Sequence, residues 1–394
     1  MRSLSELALS RVLVSLGRLP KGLELARALH AAGARVTIAE SMPWNLSRIS
    51  RAVAAQIVVP PPATRTEQFR NGFLDAVART GSQVVAPVSE EIFHVAAACA
   101  ELPEGVRFHG MPLASLLALH DKLRFAELAE RLGLPVPVTH AASTDAAARF
   151  AASNDFITKP WLSSSGHGVG LHRAGDALPP ERDGLLVQQR LEGAEFSTFS
   201  ATHAGRVIGT VAYRARILSG TVAVCFERIE APDARALSWI ERLVDGTDFT
   251  GFISFDFRED AGGTPWVLEC NPRATSGIHF VEHADLAGAV LDPAGQRAFR
   301  TRKERVLQQF FPALTATQSA AWRGLPWRQN LKLLFGCRDV AWSPRDPLPF
   351  LLMTPLSWPI LKRVIFEGMS FGEASTVDVG WYDAAVEAPG GDDD

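Results

Sequence analysis

The chain has 394 residues, of which 47% are hydrophobic and 21% charged, and its formal net charge is -3 at pH 7. This composition is typical of a globular protein with about two or three domains, and it excludes disordered and collagen-like chains. The small net charge argues against nucleic acid as a partner, because phosphate binding needs clustered Lys and Arg.

Strand and helix patterns alternate along the first part of the chain. They are predicted, in chain order, at 12–14 (strand), 23–32 (helix), 36–38 (strand), 67–80 (helix) and 83–87 (strand). Alternation of this kind is typical of a parallel sheet, so we predict a small α/β domain over residues 1–110. The segment lacks G-x-G-x-x-G, and dinucleotide binding is therefore not predicted.

An α+β pattern follows, and the chain changes character again near residue 297. Helices are predicted at 113–120 and 123–132, and strands at 156–159, 185–189, 196–201, 206–213, 251–257 and 266–270. Beyond about residue 297 the sequence is basic, rich in tryptophan and helical in pattern. Residues 389–394 are too polar to pack, and we expect this tail to be disordered.

The cysteines and the apolar segments indicate the cellular compartment. Cys99, Cys225, Cys270 and Cys337 form no C-x-x-C pair, which favours reduced thiols. The N-terminus has no apolar run long enough for a signal peptide. The longest charge-free stretch near the C-terminus, 347–361, is shorter than the roughly 18 residues that cross a bilayer. We therefore expect a cytoplasmic protein without a membrane span.

Two carboxylates face each other across a predicted hairpin. If residues 262–263 form a two-residue turn, Asp256 lies directly opposite Glu269. Side chains alternate between the two faces of a strand, so Asn271 and Arg273 lie on the same face as the two carboxylates. The opposite face carries the apolar side chains Phe255, Phe257, Leu268 and Cys270. Carboxylates about 5 Å apart repel by about 3 kcal/mol at an effective dielectric of about 20, so we predict a Mg²⁺ or Mn²⁺ ion between them. A solvated hairpin face, with Arg273 pairing one acid, is the alternative.

A lysine-bearing strand runs into a loop of serine and glycine. Lys159 ends the strand, and residues 162–170 form the loop. Backbone N–H groups and hydroxyls in such a loop suit phosphate binding. There is no G-K-[ST] and no following helix, so this is not a Walker A loop, and an exposed hairpin is the alternative. The strand end at 187–195, with acids on both sides of Gly193, is a weaker signal.

Two further patterns point to other chemistries and are set aside. The segment 279–283 matches the H-x-x-E-H pattern of inverted zinc proteases. Its helical character is poor, so we expect His279 and His283 to be bystanders rather than zinc ligands. The serines at 163–165 lack the G-x-S-x-G pattern, and a hydrolase nucleophile is not predicted.

The chain resembles the ATP-grasp superfamily, and within it the carbamoyl-phosphate-synthetase-like carboxylate–amine ligases. The segments that carry the resemblance are, in chain order, Asp121-Lys122, the lysine-bearing strand with its loop, the strand end at 187–195 and the carboxylate hairpin. The resemblance covers about residues 10–295, and the end of the hairpin, 269–273, is its most specific part. The implied fold is a Rossmann-like pre-ATP-grasp α/β domain, an α+β ATP-grasp core and a mainly helical C-terminal extension. The implied boundaries are 1–110, 111–296 (a lid subdomain at 111–185 and a metal-binding subdomain at 186–296), 297–388 and a tail at 389–394.

The resemblance also implies roles for individual residues. The phosphates would be contacted by Lys122, Lys159, Ser164, Ser165, Gly166 and Gly168. The adenine and ribose would be contacted by Gln188, Gln189, Leu191 and Glu195. Two Mg²⁺ or Mn²⁺ ions would be held by Asp256, Glu269 and Asn271, while Arg273 and Lys159 would act on the transferring phosphoryl group. Relatives often carry Glu in place of Gln189, whose carbonyl is still able to accept a hydrogen bond from the adenine amino group.

The implied reaction forms a carbon–nitrogen bond. A substrate carboxylate attacks the γ-phosphate of ATP to give an acylphosphate and ADP, and an amine then displaces phosphate. Such transfer needs positioning and charge neutralisation more than a nucleophilic side chain. The expected partners are small-molecule acids and amines, amino acids first, and the candidate residues for binding them are Glu90, Arg214, Ser276 and Gly277.

Other functions stay open at this point. An ATP-dependent carboxylase would use bicarbonate with the same residues, and a nucleotide-binding interaction protein would not turn over. Residues 297–394 hold five of the nine tryptophans. We expect this region to cap the core, because four prolines between 347 and 359 spoil a continuous amphipathic helix; weak contact with a membrane surface is the alternative. The oligomeric state is not indicated.

Overall fold

The computed structural model of the chain describes residues 10–162, 168–325, 327–369 and 371–381. The predicted lid residues Ser164, Ser165 and Gly166 and the predicted tail lie outside these ranges. Within them the chain builds three sheets, flanked by helices.

The first sheet has five parallel strands in the order β3-β2-β1-β4-β5. Its strands are β1 (Arg11–Ser15), β2 (Arg35–Glu40), β3 (Ala55–Val58), β4 (Val84–Ala86) and β5 (Arg107–Phe108), and its helices are α1 (Pro20–Ala31), α2 (Thr66–Thr80) and α3 (Ile92–Cys99). Helix α1 begins three residues earlier than predicted, because Pro20 starts it with a φ angle already suited to a helix. Gly81 ends α2 in the left-handed conformation, at φ 56°.

Two helices lead into a second, smaller sheet. Helix α4 (Leu113–His120) is followed at once by α5 (Lys122–Arg131), and Asp121 caps α5 by accepting from Leu123 N at 2.9 Å. The cap fixes Lys122 at the first position of its helix. The four-stranded antiparallel sheet has the order β6-β9-β7-β8. Its strands are β6 (Thr139–Ala141), β7 (Phe156–Pro160), β8 (Gly170–His172) and β9 (Leu185–Gln189), and helix α6 (Asp145–Ser153) connects β6 to β7.

The third sheet has seven strands in the order β14-β13-β10-β11-β12-β15-β16. Its elements are β10 (Ala194–His203), β11 (Arg206–Ser219), β12 (Val222–Ile229), α7 (Ala234–Gly246), β13 (Gly251–Glu259), β14 (Pro265–Asn271), a 3-10 helix (Ser276–Phe280), α8 (His283–Leu291), β15 (Val306–Gln308) and β16 (Arg338–Asp339). All neighbouring strands are antiparallel except β15 and β16. The sequence patterns did not predict β12.

The β13–β14 hairpin departs from the predicted two-residue turn. Its strands are joined by the five residues 260–264, and the register shifts by one between Asp256 and Phe257. Leu268 is the extra residue of this bulge, so Asp256 and Glu269 still lie directly opposite each other, as predicted. The bulge also turns Leu268 away from the core, where Val267 and Cys270 pack, and the prediction that Leu268 faces the core is wrong.

Short helices occupy the C-terminal part of the chain. They are α9 (Phe310–Trp322), α10 (Arg328–Gly336), α11 (Leu348–Leu351), α12 (Met353–Leu356), α13 (Trp358–Phe366) and α14 (Phe371–Thr376). The segment after α14 returns to the first sheet, where Arg18 Nη1 donates to Asp378 Oδ1 at 2.6 Å. Arg18 Nε also donates to Glu40 Oε1 at 2.9 Å, and this ion cluster is buried.

No helix in the ranges that the structure describes is both long and apolar enough to span a bilayer.

Trp239 of α7 lies at the centre of the core that supports the carboxylate hairpin. It is 3% exposed, and its ring centroid is 5.0 Å from that of Phe255 and 5.8 Å from that of Phe257. We expect Trp239→Ala to cost about 3–5 kcal/mol of stability, because a large cavity replaces the indole. Trp322→Ala, at a side chain that is 92% exposed, is the matched control and should change stability by less than about 0.5 kcal/mol. Urea unfolding followed by circular dichroism measures both; equal midpoints would contradict the placement of Trp239.

Candidate functional site

A cavity of about 670 Å³ lies where the three sheets and α14 meet. Most of the predicted site residues line it: Glu90, Lys159, Gln188, Gln189, Leu191, Glu195, Asp256, Glu269, Asn271, Arg273 and Ser276. Leu268 lines it too, because of the bulge. Residues distant in the sequence therefore converge on one concave site, which is the usual form of a ligand-binding site.

A chain of polar contacts fixes the acidic side of the cavity. Asp256 accepts hydrogen bonds from Ser197 Oγ at 2.5 Å and from Asn271 Nδ2 at 3.0 Å. Asn271 Oδ1 accepts in turn from Arg273 Nη2 at 2.9 Å, and the same nitrogen lies 2.5 Å from Glu90 Oε1. These contacts link β10, β13, β14 and the loop after β4, so the side chains are held in place before any ligand binds.

Two lysines lie against the carboxylate pair from the lid side. Lys122 Nζ is 3.7 Å from Glu269 Oε2, although Lys122 does not itself line the cavity. Lys159 Nζ donates to the carbonyl oxygen of Leu268 at 3.3 Å, which the bulge leaves outside the strand ladder. Both lysines are 5% exposed. Buried cations beside a cavity suit a ligand with several negative charges.

Burial and neighbouring charges separate the acidities of the two carboxyls. Burial, and then the Glu269 carboxylate, raises the pKa of Asp256 to about 7. Burial opposes ionisation of Glu269 too, but Lys122 and Lys159 outweigh it and lower the pKa of Glu269 to about 2. Burial lowers the pKa of Lys159 to about 8. The pair is therefore an unfavourable place for two full negative charges unless a cation is added.

The donor set at this pair fits a small, hard cation. Asp256 and Glu269 offer carboxylate oxygens and Asn271 an amide oxygen, the ligand types that Mg²⁺ and Mn²⁺ prefer. Among the residues that the structure describes, no group of three or more His, Cys, Asp and Glu side chains is arranged to hold a metal ion. Mg²⁺ is commonly bound by one or two carboxylates together with water and substrate phosphates.

A buried acceptor lies at the end of β9. Gln188 is 2% exposed, its Nε2 donates to Thr139 Oγ1 at 2.9 Å, and its Oε1 has no hydrogen-bond partner among the described residues. The side-chain oxygen of Gln189, in contrast, accepts from Val138 N at 3.3 Å. The acceptor without a partner thus belongs to Gln188. The resemblance described above indicates Gln189 instead as the acceptor from the adenine amino group. Apolar side chains complete this part of the wall: Ile157, Val169, Leu171, Leu191, Phe196 and Phe257.

The rest of the wall comes from the carboxyl ends of the first sheet and from the C-terminal helices. Lys21 follows β1 and Glu90 follows β4, at the edge where open α/β sheets bind ligands. Lys21 Nζ donates to the carbonyl oxygen of Ala274 at 3.1 Å. Helix α14 adds Phe371, Ser375 and Thr376. This part of the cavity combines cations, hydroxyls and one aromatic ring.

Lys21 is expected to destabilise the ligand-free protein. Burial, and then Arg273, lowers the pKa of Lys21 to about 7, and Glu91 and Glu90 offset this only in part. In the unfolded chain the Lys21 ammonium keeps its proton up to a higher pH than in the folded chain. The loss of folding stability caused by burying this charge is therefore full below pH 7 and disappears as the pH approaches 10. Lys21→Met should therefore raise stability by about 1–2 kcal/mol at pH 6 and by little at pH 10. Thermal melts across this range measure the effect, with the exposed Lys303→Met as control; a gain independent of pH would contradict it.

Besides Lys122, three predicted site residues among those that the structure describes lie outside the cavity lining. Arg214 is half exposed and its Nε lies 3.7 Å from Glu227 Oε2, so its guanidinium serves an ion cluster on β12. A side chain at Gly277 would place Cβ 2.4 Å from Phe199 Cβ, which shows that this glycine allows close packing. Gly168 is exposed, with φ 73°, at the edge of the Ser/Gly loop. The prediction that Arg214 and Gly277 line the substrate site is corrected.

The H-x-x-E-H pattern forms no metal site. His279 Nδ1 lies 2.9 Å from Glu24 Oε2, and His283 Nε2 lies 2.7 Å from Glu24 Oε1. Arg302 also pairs with Glu24. Both histidines thus contact one buried acid, and His279 also lines the cavity.

Sequence patterns missed several lining residues. Ser197 and Tyr213 lie on β10 and β11, where the alternation of strands gives no sign of a ligand. Lys21 was detectable, since it follows a buried strand of a parallel sheet in the same way as Glu90. The α14 residues had no local signal, because only the tertiary fold brings them to the cavity.

Comparison with known proteins gives matches at the level of family model, sequence and structure. A family model described as "ATP-grasp in the biosynthetic pathway with Ter operon" matches residues 181–309. The carbamoyl phosphate synthase large chain of Thermus thermophilus is 27% identical over 201 residues, 46% of this chain and 20% of that protein. An L-amino acid ligase from Bacillus licheniformis has a TM-score of 0.56 at 16% identity, covering 72% of this chain and 74% of that one. An N5-carboxyaminoimidazole synthetase from Staphylococcus aureus has a TM-score of 0.58 at 14% identity, covering 80% and 86%.

The sequence matches cover only part of each protein. The chain spans about a fifth of the length of the curated relatives that it matches. The family model covers β9 to β15, including the carboxylate hairpin, and ends before α9.

Proposed function

We propose that this chain, which has the ATP-grasp fold, is an ATP-dependent ligase that activates a carboxylate as an acylphosphate and joins it to an amine. One observation carries the proposal: Asp256 lies opposite Glu269, beside Asn271 and Arg273, in a cavity that Lys159 also lines. Opposed carboxylates cost stability, and a reaction on Mg²⁺-bound phosphates accounts for them.

The nucleotide is proposed to lie between the four-stranded and seven-stranded sheets. Gln188 Oε1, buried and without a partner among the described residues, would accept from the adenine amino group. Glu195 is 62% exposed and pairs with Arg258 at the cavity rim, where a ribose hydroxyl would reach it. Gln189 and Leu191 are proposed to contact the edge of the adenine. The phosphates are proposed to contact Lys122, Lys159 and Gly168, together with the lid residues Ser164, Ser165 and Gly166, which lie outside the described residues.

Two Mg²⁺ or Mn²⁺ ions are proposed at Asp256, Glu269 and Asn271. Bound there, they would neutralise charge on the phosphates during transfer. Ser197 holds one oxygen of Asp256, and Asn271 Nδ2 holds the other. These contacts orient the carboxylate without a ligand, so little reorganisation is needed at the moment of reaction.

The acid is proposed to bind at Lys21 and Arg273, next to Glu90 and Ser276. Its carboxylate oxygen attacks the γ-phosphorus, the bond to the bridging oxygen breaks, and ADP leaves with that electron pair. The amine nitrogen then attacks the acyl carbon, phosphate leaves, and the nitrogen loses a proton. Arg273 Nε, a buried donor without a partner among the described residues, would stabilise the phosphoryl group in transfer.

Amino acids are the proposed substrate class, supported by the structural likeness to an L-amino acid ligase. The domains are proposed as a Rossmann-like unit over 1–110, an ATP-grasp unit over 111–296 and a C-terminal extension over 297–388. All four cysteines are free, which supports the proposed cytoplasmic location.

The test is ADP and phosphate release from Mg-ATP against a library of amino and hydroxy acids, with hydroxylamine as trap. Release that depends on one acid, with formation of its hydroxamate, is expected. AMP as product would overturn the acylphosphate mechanism in favour of adenylation.

A bicarbonate arm separates ligation from carboxylation. If ADP release follows bicarbonate alone and no hydroxamate of a library acid forms, the ligase assignment is wrong. Binding of Mg-ATP without turnover in any arm would favour a nucleotide-binding protein that is not an enzyme.

A further inference from the structure

The C-terminal helices expose an unusual amount of apolar surface. Of the sixteen exposed large hydrophobic side chains in the described residues, ten lie between 322 and 366. The most exposed of these ten are Trp322 at 92%, Phe335 at 78%, Phe366 at 75%, Leu351 at 61% and Ile365 at 60%. Exposed apolar clusters of this size mark interaction sites in globular proteins.

Ring contacts link α9, α10 and α11 within this region. Phe310 on α9 has its ring centroid 6.5 Å from that of Phe335 on α10 and 6.3 Å from that of Phe350 on α11. The Phe350 ring is 5.5 Å from that of Trp342. Phe335, Trp342 and the leucines that follow Phe350 are therefore neighbours in space. We call the exposed side chains of residues 310–369 the C-terminal surface.

Helix α13 is amphipathic, with its two faces clearly separated. Ile360 is 2% exposed and packs with Val364 against Met42 and α14. The opposite face carries Trp358, Lys362, Ile365 and Phe366, at helical spacings of four, seven and eight residues. Pro359 lies in the first turn, where it breaks no hydrogen bond. As expected, the prolines leave no continuous helix over 347–361: the stretch divides into α11, α12 and the start of α13, and only α13 is long enough to be amphipathic.

The charges of the C-terminal surface are mostly positive. Its exposed basic residues are Arg323, Arg328, Lys332, Arg338, Arg345 and Lys362, and one acid, Glu367, is exposed within its described residues. The other two acids of 310–369 are buried: Asp346 lies 2.9 Å from Arg27 Nη2, and Asp339 accepts from Phe310 N at 2.6 Å. Apolar and aromatic side chains interspersed with cations match a bilayer that contains anionic lipid.

We propose that the C-terminal surface binds anionic lipid bilayers, with the helices lying in the interface rather than crossing it. A second copy of the chain fits less well, because two such surfaces would face each other with the same charge. The inference does not depend on the reaction that the cavity catalyses. Helix α13 packs on α14, which lines the cavity, so a bound bilayer would lie next to the cavity's C-terminal wall.

Vesicle sedimentation of the full chain tests the proposal. Vesicles of phosphatidylcholine are compared with vesicles that contain about one-third phosphatidylglycerol, at low and at high salt. The triple variant Phe335→Ser, Trp358→Ser, Phe366→Ser removes apolar anchors, and Lys332→Glu with Lys362→Glu reverses two charges. Matched controls outside the surface are Trp44→Ser, Val58→Ser, Val138→Ser together, and Arg149→Glu; all of these side chains are exposed.

The expected result is binding to the anionic vesicles that weakens at high salt and falls at least tenfold in both surface variants but not in the controls. Circular dichroism checks that the variants are folded. No binding by the unchanged chain, or equal binding by all variants, overturns the proposal. An oligomer in solution that the triple variant dissociates, without lipid binding, would assign the surface to contact between copies instead.

Discussion

Replacing Glu269 by glutamine should lower ADP release from Mg-ATP by at least about 10³-fold. Glutamine keeps the size of the side chain and one acceptor oxygen but removes the charge. That charge lies opposite Asp256 and 3.7 Å from Lys122 Nζ, where a divalent cation and the phosphates would meet it. Release of ADP and phosphate under saturating acid measures the effect.

Glu259→Gln is the matched control for this variant. Glu259 lies on the same hairpin, three residues from Asp256, but its side chain is exposed and does not line the cavity. Its turnover should match that of the unchanged chain. Near-normal turnover by a folded Glu269→Gln variant would remove the carboxylate pair from the mechanism and with it the main support for the proposed ligase.

Arg273→Lys should lower the turnover rate by about 10²–10³-fold and change ATP binding by only a few-fold. The guanidinium contacts Asn271 and Glu90 through Nη2, while the buried Nε keeps a donor in the cavity wall. Lysine keeps the charge but offers one compact ammonium group, which cannot hold Asn271 and Glu90 and at the same time present a second donor in the plane of a guanidinium. Rates at saturating ATP and acid, together with ATP titrations, separate the two effects.

Arg214→Lys serves as the comparison for Arg273→Lys. Arg214 pairs with Glu227 outside the cavity, so its replacement should leave turnover within about twofold. If ATP binding and turnover fall together in Arg273→Lys, the arginine acts on the ground state, and its proposed role in phosphoryl transfer is wrong. A large loss in Arg214→Lys would restore the sequence-based prediction of a carboxylate contact there.

The ATP-grasp fold that the resemblance implies is confirmed by the structural matches and by the family-model match over residues 181–309, and the resemblance came from residues whose order along the chain is itself informative. The opposition of Asp256 and Glu269 was predicted correctly but from a turn that does not form. Five loop residues replace two, and the bulge at Leu268 restores the register. The loop has a local cause, since Asp260 accepts from Gly262 N at 2.9 Å and from Thr264 N at 2.8 Å. An aspartate that caps its own loop is a recognisable signal against a two-residue turn.

Tertiary contacts account for what the sequence patterns did not predict. Gln189 has the position that the resemblance indicates, yet its carbonyl is taken by Val138 N, and the acceptor without a partner is on Gln188. Strand alternation cannot distinguish two neighbouring glutamines by what their side chains meet. Helix α14 is a stronger case, because nothing within Phe371–Thr376 indicates a cavity wall.

The buried contact of Arg18 with Asp378 affects how the protein is made. The two residues are 360 positions apart, so the ribosome must release nearly the whole described chain before they meet. The hairpin and the proposed nucleotide contacts are synthesised by residue 273, whereas the wall from α14 arrives about a hundred residues later. A nascent chain would thus hold an open half-site for many seconds at ordinary elongation rates of about 5–20 residues per second. The cavity is then complete only after residues 371–376 have been synthesised, and the Arg18–Asp378 contact closes a loop of 360 positions.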